Sequence, residues 1–152
     1  YYGAPVKTCT CSPSLVSRYQ KRISGPLLDR IDIFIEVPRV EYEKLSDERL
    51  GEPSEVVRQR VEAARAIQRG RFSGSKLMCN ADMTAVEVRQ FCQVEASAQG
   101  LLQAAMKRLA LSARAFHRIL KLARTIADLA GVKNIEASHL AEALQYRPRG
   151  QA

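Results

Sequence analysis

The stretch Ala113–Ala130, ARAFHRILKLARTIADLA, decides the fold class of this 152-residue chain. Successive residues of a helix lie about 100° apart, and at that angle its apolar side chains form one wide arc and its polar side chains the opposite stripe. The arc consists of Phe116, Ile119, Leu120, Leu122, Ala123, Ile126, Ala127 and Leu129; the stripe consists of Arg114, His117, Arg118, Lys121, Arg124, Thr125 and Asp128. We therefore predict an amphipathic helix whose arc is buried against other helices.

Further helical segments flank this one. Ser54 is a typical N-cap residue, and Thr84 followed by Glu87 matches a capping box. Gly131 is suited to the end of the helix quoted above. A short helix is predicted over residues 14–22, and a bundle over about residues 54–147 with helices at Ser54–Phe72, Thr84–Cys92, Ser97–Leu109, Ala113–Ala130 and Ala137–Tyr146.

An alternating stretch lies upstream of the bundle. In IDIFIEVP, residues 31–38, isoleucine or valine occupies every second position, which is the period of a strand, and Pro38 ends the pattern. A lone strand leaves its backbone N–H and C=O groups unpaired, so we expect its partner strands to lie outside this sequence. The polar residues 41–53 that follow are interpreted as a connector.

The chain is strongly basic. Its 24 Lys and Arg outnumber 16 Asp and Glu, and residues 51–152 carry 16 of the basic and 9 of the acidic side chains. Such a field favours polyanions, namely nucleic acid or nucleotide phosphates, but a well-solvated basic surface accounts for the same charge. No apolar run approaches the roughly 20 residues of a membrane-spanning helix, and no basic-then-apolar leader pattern is found, so we expect no targeting segment. We expect a piece of a longer protein that does not span a membrane.

The cysteines indicate a reducing compartment. Cys9, Cys11, Cys79 and Cys92 fit neither a dense disulfide framework nor a CxxC pair, so a cytoplasmic location is predicted. Cys9 and Cys11 supply only half of a tetrahedral zinc site, and no metal site is predicted. Cys92, in an apolar helical stretch, is interpreted as a buried thiol. His117 and His139 are interpreted as surface or partly packed side chains.

Two arginines are candidate functional residues. Arg114 follows Ser112 at the start of its helix with no acid in that turn, whereas the helix dipole favours acids there. Free amides and a guanidinium at a helix start form a phosphate receptor, although a solvated arginine fits the same pattern. Arg30 lies between Asp29 and Asp32, where a surface ion pair is the simpler interpretation of its residues alone.

Two long strings give these arginines a common context. SRYQKRISGPLLDRIDIFIEVP, followed about 75 residues later by LALSARAFHRILKLARTIADLAG and then HLAEALQYR, resembles the C-terminal part of a magnesium-chelatase-like AAA+ ATPase. More specifically, the chain is similar to the ComM/YifB group, which is linked to DNA handling in competence and recombination. TCTCSP at residues 8–13 resembles the second half of that group's paired CxC element.

The resemblance implies a fold class, domains and residue roles. It implies a mainly α chain: a helical bundle, the AAA+ lid, over residues 51–152, preceded over residues 1–50 by a short remnant of an α/β ATPase core with one strand. It implies that Arg30 is a catalytic arginine finger acting in trans and that Arg114 is the nucleotide-binding sensor 2 residue. Both roles suit arginine, whose planar, permanently charged fork can bridge phosphate oxygens.

The same resemblance implies ATP and Mg²⁺ as cofactors of the full-length parent, a homo-oligomeric ring, and DNA as a partner. No GxxxxGK[ST] string occurs in the chain, so we expect the isolated chain to bind no cofactor and to hydrolyse no ATP. Two other functions stay open: a free-standing basic helical DNA-binding module, and the lid of a metal-chelatase motor subunit. Arg58, Arg65 and Arg69 share one face of the first bundle helix, for which a solvated face is favoured over a DNA path or subunit interface.

Overall fold

In a computed structural model, residues 2–3, 7–28, 30–40, 51–109 and 111–147 are described. The chain divides into two units, Tyr1–Ile31 and Asp32–Ala152, and each is described here by itself. The domain boundary predicted at residues 50 and 51 adjoins residues 41–50, which lie outside the described residues together with most of the predicted connector.

The first unit contains two short helices. Helix α1, Pro13–Gln20, begins after Ser12, whose hydroxyl accepts a hydrogen bond from the Leu15 amide at 3.4 Å. Proline at the first helical position costs no hydrogen bond, because that N–H has no partner within the helix. Helix α2 follows at Gly25–Leu28. The short helix predicted over residues 14–22 is confirmed, with bounds shifted by one or two residues.

The helices predicted for the bundle lie in the second unit, and the mainly helical fold class is confirmed. Thr84 caps its helix as predicted: its hydroxyl accepts from the Val86 amide at 3.3 Å, while Glu87 accepts from the Thr84 amide at 2.6 Å. The predicted cap at Ser54 is wrong, because Ser54 is the first helical residue and Pro53 stands at the cap position. The elements are α3 Ser54–Arg71, a 3-10 turn Asn80–Asp82, α4 Ala85–Phe91, α5 Ala96–Arg108, α6 Ala113–Leu129 and α7 Ala137–Gln145.

Helix α6 lies at the centre of the core. It packs against α3, α4, α7 and the 3-10 turn, and α7 also packs against α5. Ile119, Leu120, Ala123 and Ala127 of the predicted arc are buried, whereas Leu129 at the end of the helix is 50% exposed. The core around them is formed by Phe72, Met83, Val88, Cys92, Ala98, Ile135, Leu140 and Ala143.

The strand predicted over residues 31–37 is not formed. Residues 31–40 form no strand, and the side chains of Ile31, Ile33, Ile35 and Val37 are 37–82% exposed. The Phe34 amide instead donates to the carbonyl of Tyr146 at 2.9 Å. A strand requires a ladder partner, and the described part of the chain supplies only an isolated parallel bridge elsewhere, between Val94 and Ile135. Among the described residues, none of the helices is long and apolar enough to cross a membrane.

Candidate phosphate-binding face

Arg114 lies in the first turn of α6 and is exposed. Ser112 caps the helix in an extended conformation, and its hydroxyl accepts from the Ala115 amide at 3.2 Å. The first turn contains no acidic side chain. The positive end of the helix dipole and the guanidinium therefore occupy the same place, an arrangement that attracts anions.

Two further cations share a face with Arg114. Arg118 and Lys121 follow it at the i+4 and i+7 positions of α6, and both are half-buried. Arg118 Nη1 lies 2.7 Å from Asp32 Oδ1, and Lys121 Nζ donates to the carbonyl of Ala81 at 2.7 Å. Both residues line a cleft of about 260 Å³. The cations of this face are thus held in position by neighbouring oxygens, with Arg114 one turn away at the helix start.

Arg30, the other predicted site residue, lies two residues beyond α2 in the first unit and is exposed. Its Nη1 donates to the carbonyl of Pro26 at 3.5 Å, and its amide donates to the carbonyl of Leu27 at 2.9 Å. Its predicted neighbour Asp29 lies outside the described residues. Arg30 and Arg114 belong to separate units.

Two residues assigned to the polar stripe of α6 are instead buried, and this corrects the prediction. Arg124 is 1% exposed and Asp128 is 2% exposed. Arg124 Nε donates to Asp128 Oδ1 at 3.1 Å, and its Nη atoms donate to the carbonyls of Val132 and Lys133. Burial lowers the pKa of Arg124, and the Asp128 carboxylate opposes that shift.

Arg71, at the end of α3, completes the ion network. Its guanidinium donates to both oxygens of Asp128, with Nη1 at 2.7 Å from Oδ2. Asn80 joins the two helices, because its Oδ1 accepts from Arg71 Nη1 of α3 at 2.7 Å and its Nδ2 donates to Asp128 Oδ2 of α6 at 2.8 Å. The network therefore fixes α3 and the 3-10 turn against α6. The spacing of Arg124 and Asp128 signals an i,i+4 pair, but the sequence gives no sign of its distant partners.

The two histidines and Cys92 are packed into the fold. His139 is 7% exposed, more buried than predicted, and its Nδ1 accepts from the Glu136 amide at 3.1 Å. His117 is half-buried beside Phe116. Cys92 is buried as predicted, and desolvation raises the pKa of its thiol to about 11. Among the described residues there is no cluster of three or more His, Cys, Asp and Glu side chains able to hold a metal ion.

Comparison with known proteins covers both parts of the chain. The family model described as magnesium chelatase, subunit ChlI C-terminal, matches residues 51–147, and the model for magnesium chelatase, subunit ChlI, matches residues 1–45. Competence protein ComM of Haemophilus influenzae is 44% identical over 137 residues, covering 90% of this chain and 26% of the relative. The uncharacterized protein YifB of Escherichia coli is 44% identical over 138 residues, with the same coverage.

A more distant relative, an uncharacterized protein of Mycobacterium tuberculosis, is 33% identical over 147 residues, covering 97% of this chain and 29% of the relative. The chain thus spans about a quarter of the length of the curated relatives that it matches. Because the C-terminal family model covers well over half of the residues, the chain belongs to the magnesium chelatase ChlI family.

Proposed function

We propose that this chain is the lid and arginine-finger segment of a cytoplasmic, ATP-dependent AAA+ motor. The observation that carries the proposal is the exposed Arg114 at the capped, acid-free start of α6, on one face with Arg118 and Lys121. A phosphate group needs such donors: helix amides, a guanidinium fork and a local excess of positive charge.

In this proposal, Arg114 acts as the sensor 2 residue. Its guanidinium binds the terminal phosphate region of ATP, which Mg²⁺ accompanies in the full-length parent. Lys121, whose Nζ donates to the Ala81 carbonyl, adds positive potential on the same face, whereas Asp32 offsets the charge of Arg118. Bound ATP supplies the phosphoryl group; this chain contributes charge and orientation.

Arg30 is proposed as the arginine finger for the nucleotide site of a neighbouring subunit in a homo-oligomeric ring. It is exposed beyond the short helix α2, and its Nη1 donates to the Pro26 carbonyl at 3.5 Å. A guanidinium that reaches a transferring phosphoryl group can increase the rate by about 10³ to 10⁵.

DNA is the proposed substrate of the parent motor, in competence or recombination. The support is the 44% identity to a protein named for competence, together with the net charge of +8. The family's name favours a second candidate, a metal-chelatase motor subunit. A free-standing DNA-binding module is the weaker alternative, because Arg124 is buried and adds nothing to the exposed basic face of α6.

The test is ATP turnover and ATP binding by the full-length parent. Arg30→Ala should abolish turnover and leave ATP binding intact, whereas Arg114→Ala should impair binding, hydrolysis or both. Arg89→Ala, at an exposed position of α4, is the matched control. Wild-type activity in both variants would refute the two assignments.

Two further experiments separate the candidate functions. Remodelling of branched DNA by the full-length parent would favour the DNA motor over the chelatase subunit. Duplex DNA binding by the isolated chain at low salt would favour the free-standing module.

A further inference from the structure

A second cleft lies between α3, the 3-10 turn and the end of α6, and it adjoins the first cleft at Ala81 and Thr125. Its volume is about 580 Å³, within the range of about 300–1,000 Å³ that is usual for ligand pockets. Helix α3 contributes Val61, Ala64, Arg65 and Arg69 to its walls. A cleft of this volume can hold the side chains along about one or two turns of a peptide helix.

The apolar part of this cleft is not covered by the fold. Val61 is 40% exposed, Leu129 is 50% exposed and Met78 is 80% exposed. The whole α3 helix has only two buried residues, Ala64 and Gln68, although it is 18 residues long. Exposed apolar side chains that line one concave surface favour an apolar partner.

The charge of the cleft is entirely positive. Arg65 and Arg69 line it, and none of its described lining residues is acidic. Arg69 Nη1 lies 3.8 Å from Glu62 Oε2, and because both side chains are about 60% exposed this contact neutralises little of the arginine's charge. Behind the wall formed by Asn80 lies the buried network, in which two arginines face one aspartate. The excess positive charge of this network acts on the cleft through the protein interior, which screens charge poorly.

The cleft therefore suits a ligand that carries carboxylates beside aliphatic side chains. None of the described lining residues is aromatic, so the cleft offers no ring on which nucleic-acid bases could stack. We propose that this cleft, centred on Val61, Arg65, Arg69, Met78 and Leu129, binds an acidic amphipathic helix of a partner protein, with its aliphatic stripe on the walls and its carboxylates at the two arginines.

The test is fluorescence anisotropy with the 152-residue chain and three labelled probes. The first is a synthetic peptide with Leu at helical i, i+3, i+4 and i+7 spacing and Glu on the flanking positions. The second replaces each Glu by Lys, and the third is a single-stranded oligothymidine of similar length. We expect binding of the Glu peptide, and protection by it of the Cys79 thiol, which lines the cleft, against alkylation.

Three variants locate the binding. Arg65→Glu and Leu129→Asp should each weaken binding of the Glu peptide by at least about tenfold, because they place a like charge against its carboxylates. Arg89→Glu makes the same charge change as Arg65→Glu outside the cleft, and should alter affinity by less than about twofold. All three positions are exposed. Far-UV circular dichroism of each variant should match that of wild type, which checks that the variant folds.

The proposal is overturned if the Glu peptide does not bind, if the Lys peptide binds equally well, or if Arg89→Glu weakens binding as much as Arg65→Glu. Binding of the oligothymidine that Arg65→Glu abolishes, without binding of the Glu peptide, would assign the cleft to nucleic acid instead. None of these outcomes bears on Arg30 or Arg114, so failure here leaves the proposed function standing.

Discussion

Replacing Asp128 by Asn should destabilise the bundle severely. The side chain of Asp128 is fully buried, and those of Arg71 and Arg124 are 12% and 1% exposed. The substitution leaves two guanidinium groups near each other without a counter-charge. Breaking a buried ion pair by removing one partner costs about 3–5 kcal/mol. Since small domains are stable by only about 5–15 kcal/mol, this loss is a large part of the total free energy of unfolding.

The assay is urea unfolding of the 152-residue chain at neutral pH, followed by far-UV circular dichroism. Glu62→Gln is the control, because it removes the exposed 3.8 Å contact with Arg69 and should cost less than about 0.5 kcal/mol. The Asp128→Asn loss should persist at about 1 M salt, since buried pairs are weakly screened. A loss below about 1 kcal/mol would refute the view that this network holds α3 against α6.

Further predictions concern individual contacts. Thr84→Ala should cost about 1 kcal/mol in urea unfolding, because it removes the cap of α4; an unchanged midpoint would contradict this. The hydrogen bonds from Thr84 lower the pKa of Glu87. The stability that this carboxylate contributes is therefore present above its usual pKa and disappears as the pH falls through the lowered value. A Glu87→Gln variant should be as stable as wild type in strong acid but less stable at neutral pH. Replacing Gly131, whose φ is +72°, by Ala should lower the free energy of unfolding by about 1 kcal/mol, because a side chain strains that conformation. Coincident thermal melts of the variant and wild type would contradict this. At pH near 8, the Cys92 thiol should react with iodoacetamide about 100-fold more slowly in the folded chain than in urea, because its pKa rises from 9.0 to about 11; equal rates by mass spectrometry would exclude that shift.

Features with local causes could be predicted from the sequence. The Thr84–Glu87 box lies within one turn of helix, and Gly131 meets the local need for a positive φ. The apolar arc of α6 follows from its period alone. The helix bounds were therefore correct to within one or two residues, although proline rather than Ser54 proved to be the cap of α3.

Features that depend on distant partners could not be predicted. Arg124 and Asp128 have the composition of a surface stripe, and their burial depends on Arg71 and Asn80, which lie more than 40 residues away. The alternation over residues 31–37 satisfies the strand pattern, but no strand forms because the described residues provide no ladder partner. The exposure of Arg114 agrees with its proposed role, which stays a prediction.

Steady-state ATP turnover of the full-length parent carrying Arg114→Ala tests the central claim most directly. If Arg114 binds the terminal phosphate of the nucleotide, losing a charged hydrogen bond of about 1.5–3 kcal/mol should lower kcat/KM by roughly 10- to 150-fold. Arg114→Lys should recover only part of this loss, because Lys keeps the charge without the fork. Arg89→Ala should turn over at the wild-type rate. Turnover by Arg114→Ala equal to that of Arg89→Ala would contradict the account.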